Sequence, residues 1–257
     1  MKIIAVASGK GGVGKTTLCA NLSVGLKRQG HSVLCVDMDP QNGLGLHFGL
    51  PVSHLNGISR ATLSSDDWRS AMWWSEQGDT VLPYGLINDC DRVIFESKLA
   101  DNNDYLLAQL KLLKLPEDTY VLLDTPPGAS VYQQQAFAAC HVVVLTLLPD
   151  AASFATTNKY IKKIEMECYS RPDFMGHMIV TNQVDRSRGL NSDMTDLIRE
   201  SIDSNYFSII HHDQSIPEAV AWGQAVIDYD KTCRATRDIT NVVENLQELM
   251  AVATVTH

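Results

Sequence analysis

Gly9-Lys10-Gly11-Gly12-Val13-Gly14-Lys15-Thr16-Thr17 follows directly on an apolar run, Lys2–Ser8, and opens an amphipathic stretch, Thr16–Gln29. Strand, glycine-rich turn and helix in that order fit the phosphate-loop pattern G-x-x-x-x-G-K-[ST]. The glycines let backbone N–H groups converge on phosphate oxygens, and the helix adds the positive end of its dipole. In such a loop Lys15 holds the β- and γ-phosphates, and the Thr16 hydroxyl binds Mg²⁺. Thr17 caps the helix and contacts a phosphate. A chance glycine-rich turn is the alternative, and the complete match between a strand and a helix argues against it.

Working outward, short apolar runs recur along the 257 residues. Lys2–Ser8, Ser32–Asp37, Thr80–Pro83, Tyr120–Asp124, His141–Leu147 and His177–Thr181 read as strands. Thr16–Gln29, Leu99–Leu113, Ser153–Glu167, Asn191–Ser204 and a closing segment near Thr232–Ala251 read as helices. Strand–helix alternation with continuously apolar strands implies a mostly parallel, twisted sheet with helices on both faces. No linker composition or repeat interrupts the chain, so one domain over residues 1–257 is expected. In such a sheet, ligands bind beyond the carboxyl ends of the strands.

Composition narrows the function. A net charge of −9 and a pI near 5.3 disfavour binding to nucleic acid. The longest basic clusters, Lys162-Lys163 and Arg186-Ser187-Arg188, are small. Six cysteines show neither C-x-x-C nor metal-ligand spacing, which fits a reducing cytosol. The first apolar run is too short for a signal peptide, and none is long enough to span a bilayer. The tail Val242–His257 holds Glu244 and Glu248 but no Lys or Arg, so no direct membrane insertion is expected.

The second lysine of the loop carries a resemblance. K-G-G-V-G-K-T resembles the deviant Walker A signature of the ParA/MinD ATPases, which have a P-loop NTPase fold. The resemblance implies ATP and Mg²⁺ as ligands, slow hydrolysis and a homodimer when ATP is bound. It also implies that Lys10 crosses the dimer interface to the partner's ATP. A cation supplied in trans would stabilise charge on the transferred phosphoryl group, as an arginine finger does. A plain surface lysine is the alternative.

The second strand ends Asp37-Met38-Asp39-Pro40-Gln41. Side chains alternate along a strand, so Asp37 and Asp39 are expected to point the same way, toward the phosphates. D-x-D-P-Q is similar to the ParA-like pattern, which implies that Asp39 orients the attacking water and Asp37 supports the Mg²⁺ shell. Tyr120–Asp124 reads as a Walker B strand whose Asp124 holds Mg²⁺. Thr125-Pro126-Pro127-Gly128 resembles the family's second switch loop.

Asn182-Gln183-Val184-Asp185 admits two readings. In ParA-like ATPases an Asn here bonds the adenine edge; in GTPases the N-[KQ]-x-D element uses its Asp to read guanine. The deviant Walker A favours adenine and Asn182. Ile209–Gly223 resembles the segment that closes the base pocket, which brings Pro217 to the nucleotide. His211-His212-Asp213 lacks metal-ligand spacing.

A more particular segment reads Leu50–Leu63, then Asp67-Trp68-Arg69, then Thr80-Val81-Leu82-Pro83-Tyr84-Gly85. It resembles the BcsQ branch, associated with bacterial cellulose biosynthesis. That implies a cytoplasmic factor, recruited to the cell pole or an inner-membrane synthase complex, with cellulose synthase accessory proteins as partners. Partition of DNA and MinD-like positioning are the competing functions. Trp73-Trp74, read as helical, presents one ring to a partner or buries both.

Overall fold

The computed structural model describes residues 1–202 and 206–255. In chain order the elements are β1 (Lys2–Ala7), α1 (Lys15–Arg28), β2 (Val33–Asp37), α2 (Ile58–Ser64), β3 (Trp73–Trp74), β4 (Thr80–Leu82), α3 (Asp89–Asp101) and α4 (Tyr105–Leu112). Then come β5 (Tyr120–Asp124), α5 (Val131–Ala139), β6 (Val142–Leu147), α6 (Ala151–Cys168), β7 (Gly176–Val184), α7 (Gly189–Glu200), β8 (Phe207–His211), α8 (Ser215–Ala221), α9 (Val226–Tyr229) and α10 (Arg234–Val255). The expected helix end at Ser204 lies outside the described residues.

The strands form one sheet in the order β3-β4-β2-β5-β1-β6-β7-β8. Every pairing is parallel except β3 with β4. Period-two alternation divides the core into two layers. Ile3, Ala5 and Ala7 of β1 face a layer built with Phe95, Leu99, Leu106, Phe137 and Ile164. Ile4 and Val6 face the other, filled by Leu18, Leu22 and Leu26 of α1 and Ile239, Val242 and Leu246 of α10. β1 thus lies between β5 and β6 at the sheet's centre, and the glycine-rich loop leaves its carboxyl end.

Four local expectations change. Leu99–Leu113 is two helices, because Asn102 turns its side chain onto the Asp104 N–H and stops the first. Buried Gln135 of α5 then satisfies the broken ends: its amide donates to the Leu99 and Asn102 carbonyls and its oxygen accepts from Leu106 N. The strand expected to stop at Thr181 continues to Val184, so Asn182 and Gln183 sit on β7 rather than in a loop. Trp73 and Trp74 lie on a short edge strand, not a helix; Trp73 packs on the core and Trp74 is 59% exposed. Finally, β3 and β8 were not among the expected strands.

The segment marking the BcsQ resemblance is a packing unit. Trp68 is buried and its indole N–H donates to Thr62, while Asp67 caps the short 3₁₀ turn at Arg69 N. Gly57 and Gly85 touch backbone to backbone: a Cβ on Gly57 would stand 2.2 Å from Gly85 N. The neighbour is main chain and cannot swing away. Gly57→Ala is therefore expected to cost about 1–3 kcal/mol. Thermal unfolding should show this as a fall of several degrees, and an unchanged melting temperature would contradict the close contact.

Candidate nucleotide site

Two adjoining cavities open at the carboxyl ends of the central strands. One, of about 720 Å³, is lined by Gly11, Lys15, Thr16, Asp39, Pro126, Pro127 and Arg92 among others. The second, of about 420 Å³, is mostly apolar, with Leu18, Ile210, Ile216, Pro217, Val220 and Ile239 in its wall. Gly14, Thr17 and Gln183 line both. A polar chamber leading into an apolar one suits a phosphate chain joined to a flat base.

Gly14 caps α1 in the left-handed region at φ 87°, and Gly12 has φ 75°. Nothing lies within 4 Å of where a Gly12 Cβ would be, so its backbone is open to a ligand. A Cβ at Gly14 would instead strike Asn182 Nδ2 at 2.3 Å. That contact shows how the loop is held. Asn182 Nδ2 donates to the Val13 carbonyl at 2.8 Å, and Gln183 Nε2 reaches the Gly12 carbonyl at 3.3 Å. Asn182 Oδ1 accepts from Gln183 N, with Gln183 itself at φ 58°. Asn182 lines the apolar cavity with Pro217, but its amide clamps the phosphate loop. Gln183 is a second clamp that sequence reasoning did not single out, although it stands inside the quoted Asn182–Asp185 stretch.

Lys15 is buried at the first turn of α1. Burial lowers its pKa, and the charges of Asp124 and Asp39 pull it back up. Asp124 at the end of β5 is fully buried, and neither carboxylate oxygen accepts a hydrogen bond of normal geometry. Burial pushes its pKa up to about 7, against the opposing pull of the Thr16 hydroxyl and Lys15. An orphaned buried carboxylate beside a threonine hydroxyl is costly unless a cation completes it. Oxygen donors of this kind fit Mg²⁺.

Asp37 and Asp39 do not behave as a matched pair. β2 ends at Asp37, so the alternation stops there. Asp37 is fully buried and accepts from Asp39 N and Leu44 N, each at 2.9 Å. Burial first, and the Asp124 charge second, raise its pKa. Asp39 sits in the following turn, accepts from Gln41 N and lines the phosphate cavity, while buried Asp37 accepts from Asp39 N and Leu44 N on either side of that turn. Of the two, Asp39 is the carboxylate presented to the ligand space.

Lys10 points elsewhere. Its ammonium pairs with Asp150 at 2.7 Å on the surface, with the side chains 47% and 37% exposed. It does not line the phosphate cavity. An ion pair this open contributes about 0–1 kcal/mol, so the lysine is easily released.

His211 and Asp213 in the wall of the base cavity are already engaged. His211 donates from Nδ1 to Asp238 and accepts on Nε2 from Arg234. Asp213 accepts from Ser215 N and Ala235 N. Asp185 accepts from Ser187 and pairs with Arg188 outside the cavity wall. No group of three His, Cys, Asp or Glu among the described residues is placed to hold a metal. Arg92, on α3, is the lining residue for which the sequence offered no motif.

The chain is similar to known proteins over nearly its whole length. The family model described as "Cellulose biosynthesis protein BcsQ" matches residues 1–245. BcsQ of Escherichia coli is 28% identical over 244 residues, covering 93% of this chain and 91% of the relative. A virulence plasmid ParA family protein of Chlamydia psittaci is 28% identical over 253 residues, covering 96% and 95%. Among solved structures, the septum site-determining protein MinD from Pyrococcus horikoshii, complexed with Mg-ADP, superposes with a TM-score of 0.74 at 22% identity, covering 98% of each chain. The chain belongs to the cellulose biosynthesis protein BcsQ family, within the ParA/MinD type of deviant Walker A ATPases.

Proposed function

We propose that this protein is an ATP-dependent dimerisation switch with slow turnover, serving assembly or regulation of a cellulose synthase secretion complex. The position of Lys10 carries the reading. A loop lysine that lines no part of its own phosphate cavity, and that rests on a weak surface ion pair, is free to serve a neighbouring protomer. Lys15, the phosphate-loop N–H groups and Thr17 would hold the phosphates. Thr16 and Asp124 would hold Mg²⁺, with Asp37 bracing the turn beside it. The ion would supply positive charge at the β- and γ-oxygens. Asp39 would accept a hydrogen bond from the attacking water and orient it. Pro126 and Pro127 would report the γ-phosphate through the switch loop.

Dimerisation is tested by light scattering on the size-fractionated protein with MgATP and then MgADP. ATP should give a dimer and ADP a monomer. For the cellular role, a strain lacking the gene should recover cellulose secretion from the wild-type chain and not from Lys15→Ala. Full rescue by Lys15→Ala would remove the nucleotide from the account.

Base choice is a separate expectation. Asp185 is turned onto Ser187 and Arg188 and lines neither cavity, so the guanine reading loses its acceptor. ATP should outcompete GTP for Mg²⁺-dependent binding by about tenfold or more, the span of one or two lost hydrogen bonds. Competition against a fluorescent ATP analogue measures this, and a preference for GTP would reassign base reading to Asp185.

Partition of DNA is disfavoured by the net charge of −9. No described helix is long and apolar enough to cross a membrane.

A further inference from the structure

Among the described residues, Lys15 and Arg92 are the only cationic ones in the wall of the phosphate cavity. Against them stand Asp39 in the same wall and the buried Asp37 and Asp124 behind it. A triphosphate brings several further negative charges, more than Lys15 and one divalent ion offset. Lys10 would arrive only with a partner protomer. The charge balance before dimerisation therefore leaves a place for one more cation from the same chain.

Arg92 is built to fill it. It lies in the first turn of α3, which starts where Asn88 caps Asp91 N. Its side chain is 42% exposed and loosely held, 3.2 Å from the open Asp89 carboxylate and 3.8 Å from Glu96. Neither contact fixes it, since exposed pairs of this kind contribute little.

Glu96 does have a fixed address. Tyr132 donates its hydroxyl proton to Glu96 Oε1 at 3.1 Å. Having one proton, Tyr132 must then accept from Tyr84, whose hydroxyl lies 2.7 Å away. Burial pushes both phenols up, Tyr84 to about 12, so both remain protonated donors. Tyr132 belongs to α5, which begins three residues after the switch loop Thr125–Gly128. Tyr84 belongs to the segment that resembles the BcsQ branch. Hydrogen bonds thus run from the helix behind the switch loop to Glu96, whose carboxylate stands 3.8 Å from the Arg92 guanidinium as an ionic partner.

We infer that Arg92 is a further phosphate-contacting residue, a cation supplied in cis to the terminal phosphate, with Glu96, held by Tyr132 and Tyr84, as a weak ionic guide beside it. The inference rests on the nucleotide-site reading above. It gives the two cations different duties. Lys10 senses the partner, whereas Arg92 distinguishes triphosphate from diphosphate inside one protomer. A planar fork of donors suits phosphate oxygens, which a lysine at the same place would match less well.

The test uses the full chain in a Lys10→Ala background, which keeps dimerisation out of the binding signal. Affinities for Mg²⁺ with a nonhydrolysable ATP analogue, and for MgADP, are measured by calorimetry with and without Arg92→Ala. Losing a charge-assisted contact should weaken the ATP analogue about tenfold to a hundredfold and leave ADP within about twofold. Arg92→Lys should recover part of the loss. Tyr132→Phe removes the hydrogen bond to Glu96 without touching the ligand, so it should weaken the analogue by a few-fold, again sparing ADP. Equal weakening of both nucleotides, or no weakening, overturns the inference. So does an effect seen only in the chain that retains Lys10, because the contact would then belong to the dimer. If the parent protein binds neither nucleotide, the site reading itself fails, a result plainly distinct from the others.

Discussion

Asp39→Ala should bind MgATP, accumulate as a dimer and lose turnover by about a hundredfold or more, the scale of a lost proton-handling or water-positioning group. The carboxylate lines the phosphate cavity, and its hydrogen bond goes to Gln41 N of its own turn rather than to the phosphate loop. Removing it should leave the phosphate cradle intact while the attacking water loses its orientation. Lys10→Ala should fail differently. Its ammonium is outside the cavity, so nucleotide should still bind each protomer. The dimer should be weak, and turnover should fall by about a thousandfold if the lysine acts as a finger in trans. Lys15→Ala should weaken binding itself, because Lys15 is the buried cation at the first turn of α1. Chromatography with light scattering, first in MgATP and then in MgADP, separates the three. If wild type and Asp39→Ala both stay monomeric at saturating MgATP, the shared-site dimer is wrong. A chain that holds ATP as a structural ligand then becomes the better account.

The reach of the sequence varied with the kind of interaction involved. The phosphate loop was legible because its chemistry is local: glycine conformations, a helix start and a lysine all lie within nine consecutive residues. The parallel sheet followed from apolar runs, and the two core layers follow from strand alternation. Where a side chain answers to distant backbone, local pattern failed. Asn102 and Gln135 break one expected helix in two across 33 residues of sequence. Asp37 follows the alternation only to the strand end, after which the Asp39–Asn42 turn, with Asn42 at φ 51°, sets the direction of Asp39.

The same distinction explains the site residues. Asn182 was singled out for the base, yet its hydrogen bond runs 169 positions back to Val13. No spacing rule expresses that distance. Arg92 reaches the cavity because α3 packs on α5, the helix that follows the switch loop, and a lone arginine in a helix has no signature. The Trp73-Trp74 pair is too short for a periodic signal, yet aromatic residues favour strands, and opposite Val81 and Thr80 the two gain strand partners that a helix would deny them.

Asp124→Asn should make the ligand-free protein more stable at pH 8 and abolish its stabilisation by Mg²⁺ and nucleotide. Buried Asp124 has no hydrogen bond of normal geometry on either oxygen, and its pKa rises from 3.8 to about 7. The folded state therefore holds a proton between those values that the unfolded chain has released. Stability from this group is fully present below pH 3.8 and falls as pH rises, levelling above about 7. Asp37 is raised by the same burial and by Asp124 itself, so the two carboxyls titrate as a pair across this window. Asn carries no charge and removes the penalty. Its advantage should grow from acid pH to neutrality and reach on the order of a few kcal/mol, several degrees in melting temperature. Added MgATP should reverse the order, because wild type gains a cation at the orphaned oxygens and the variant does not. Melting curves at pH 5, 6, 7 and 8, with and without MgATP, measure both effects. A variant less stable than wild type at every pH without ligand would show that the carboxylate is satisfied in the free protein. The argument for a cation beside Thr16 would then lose its main physical support.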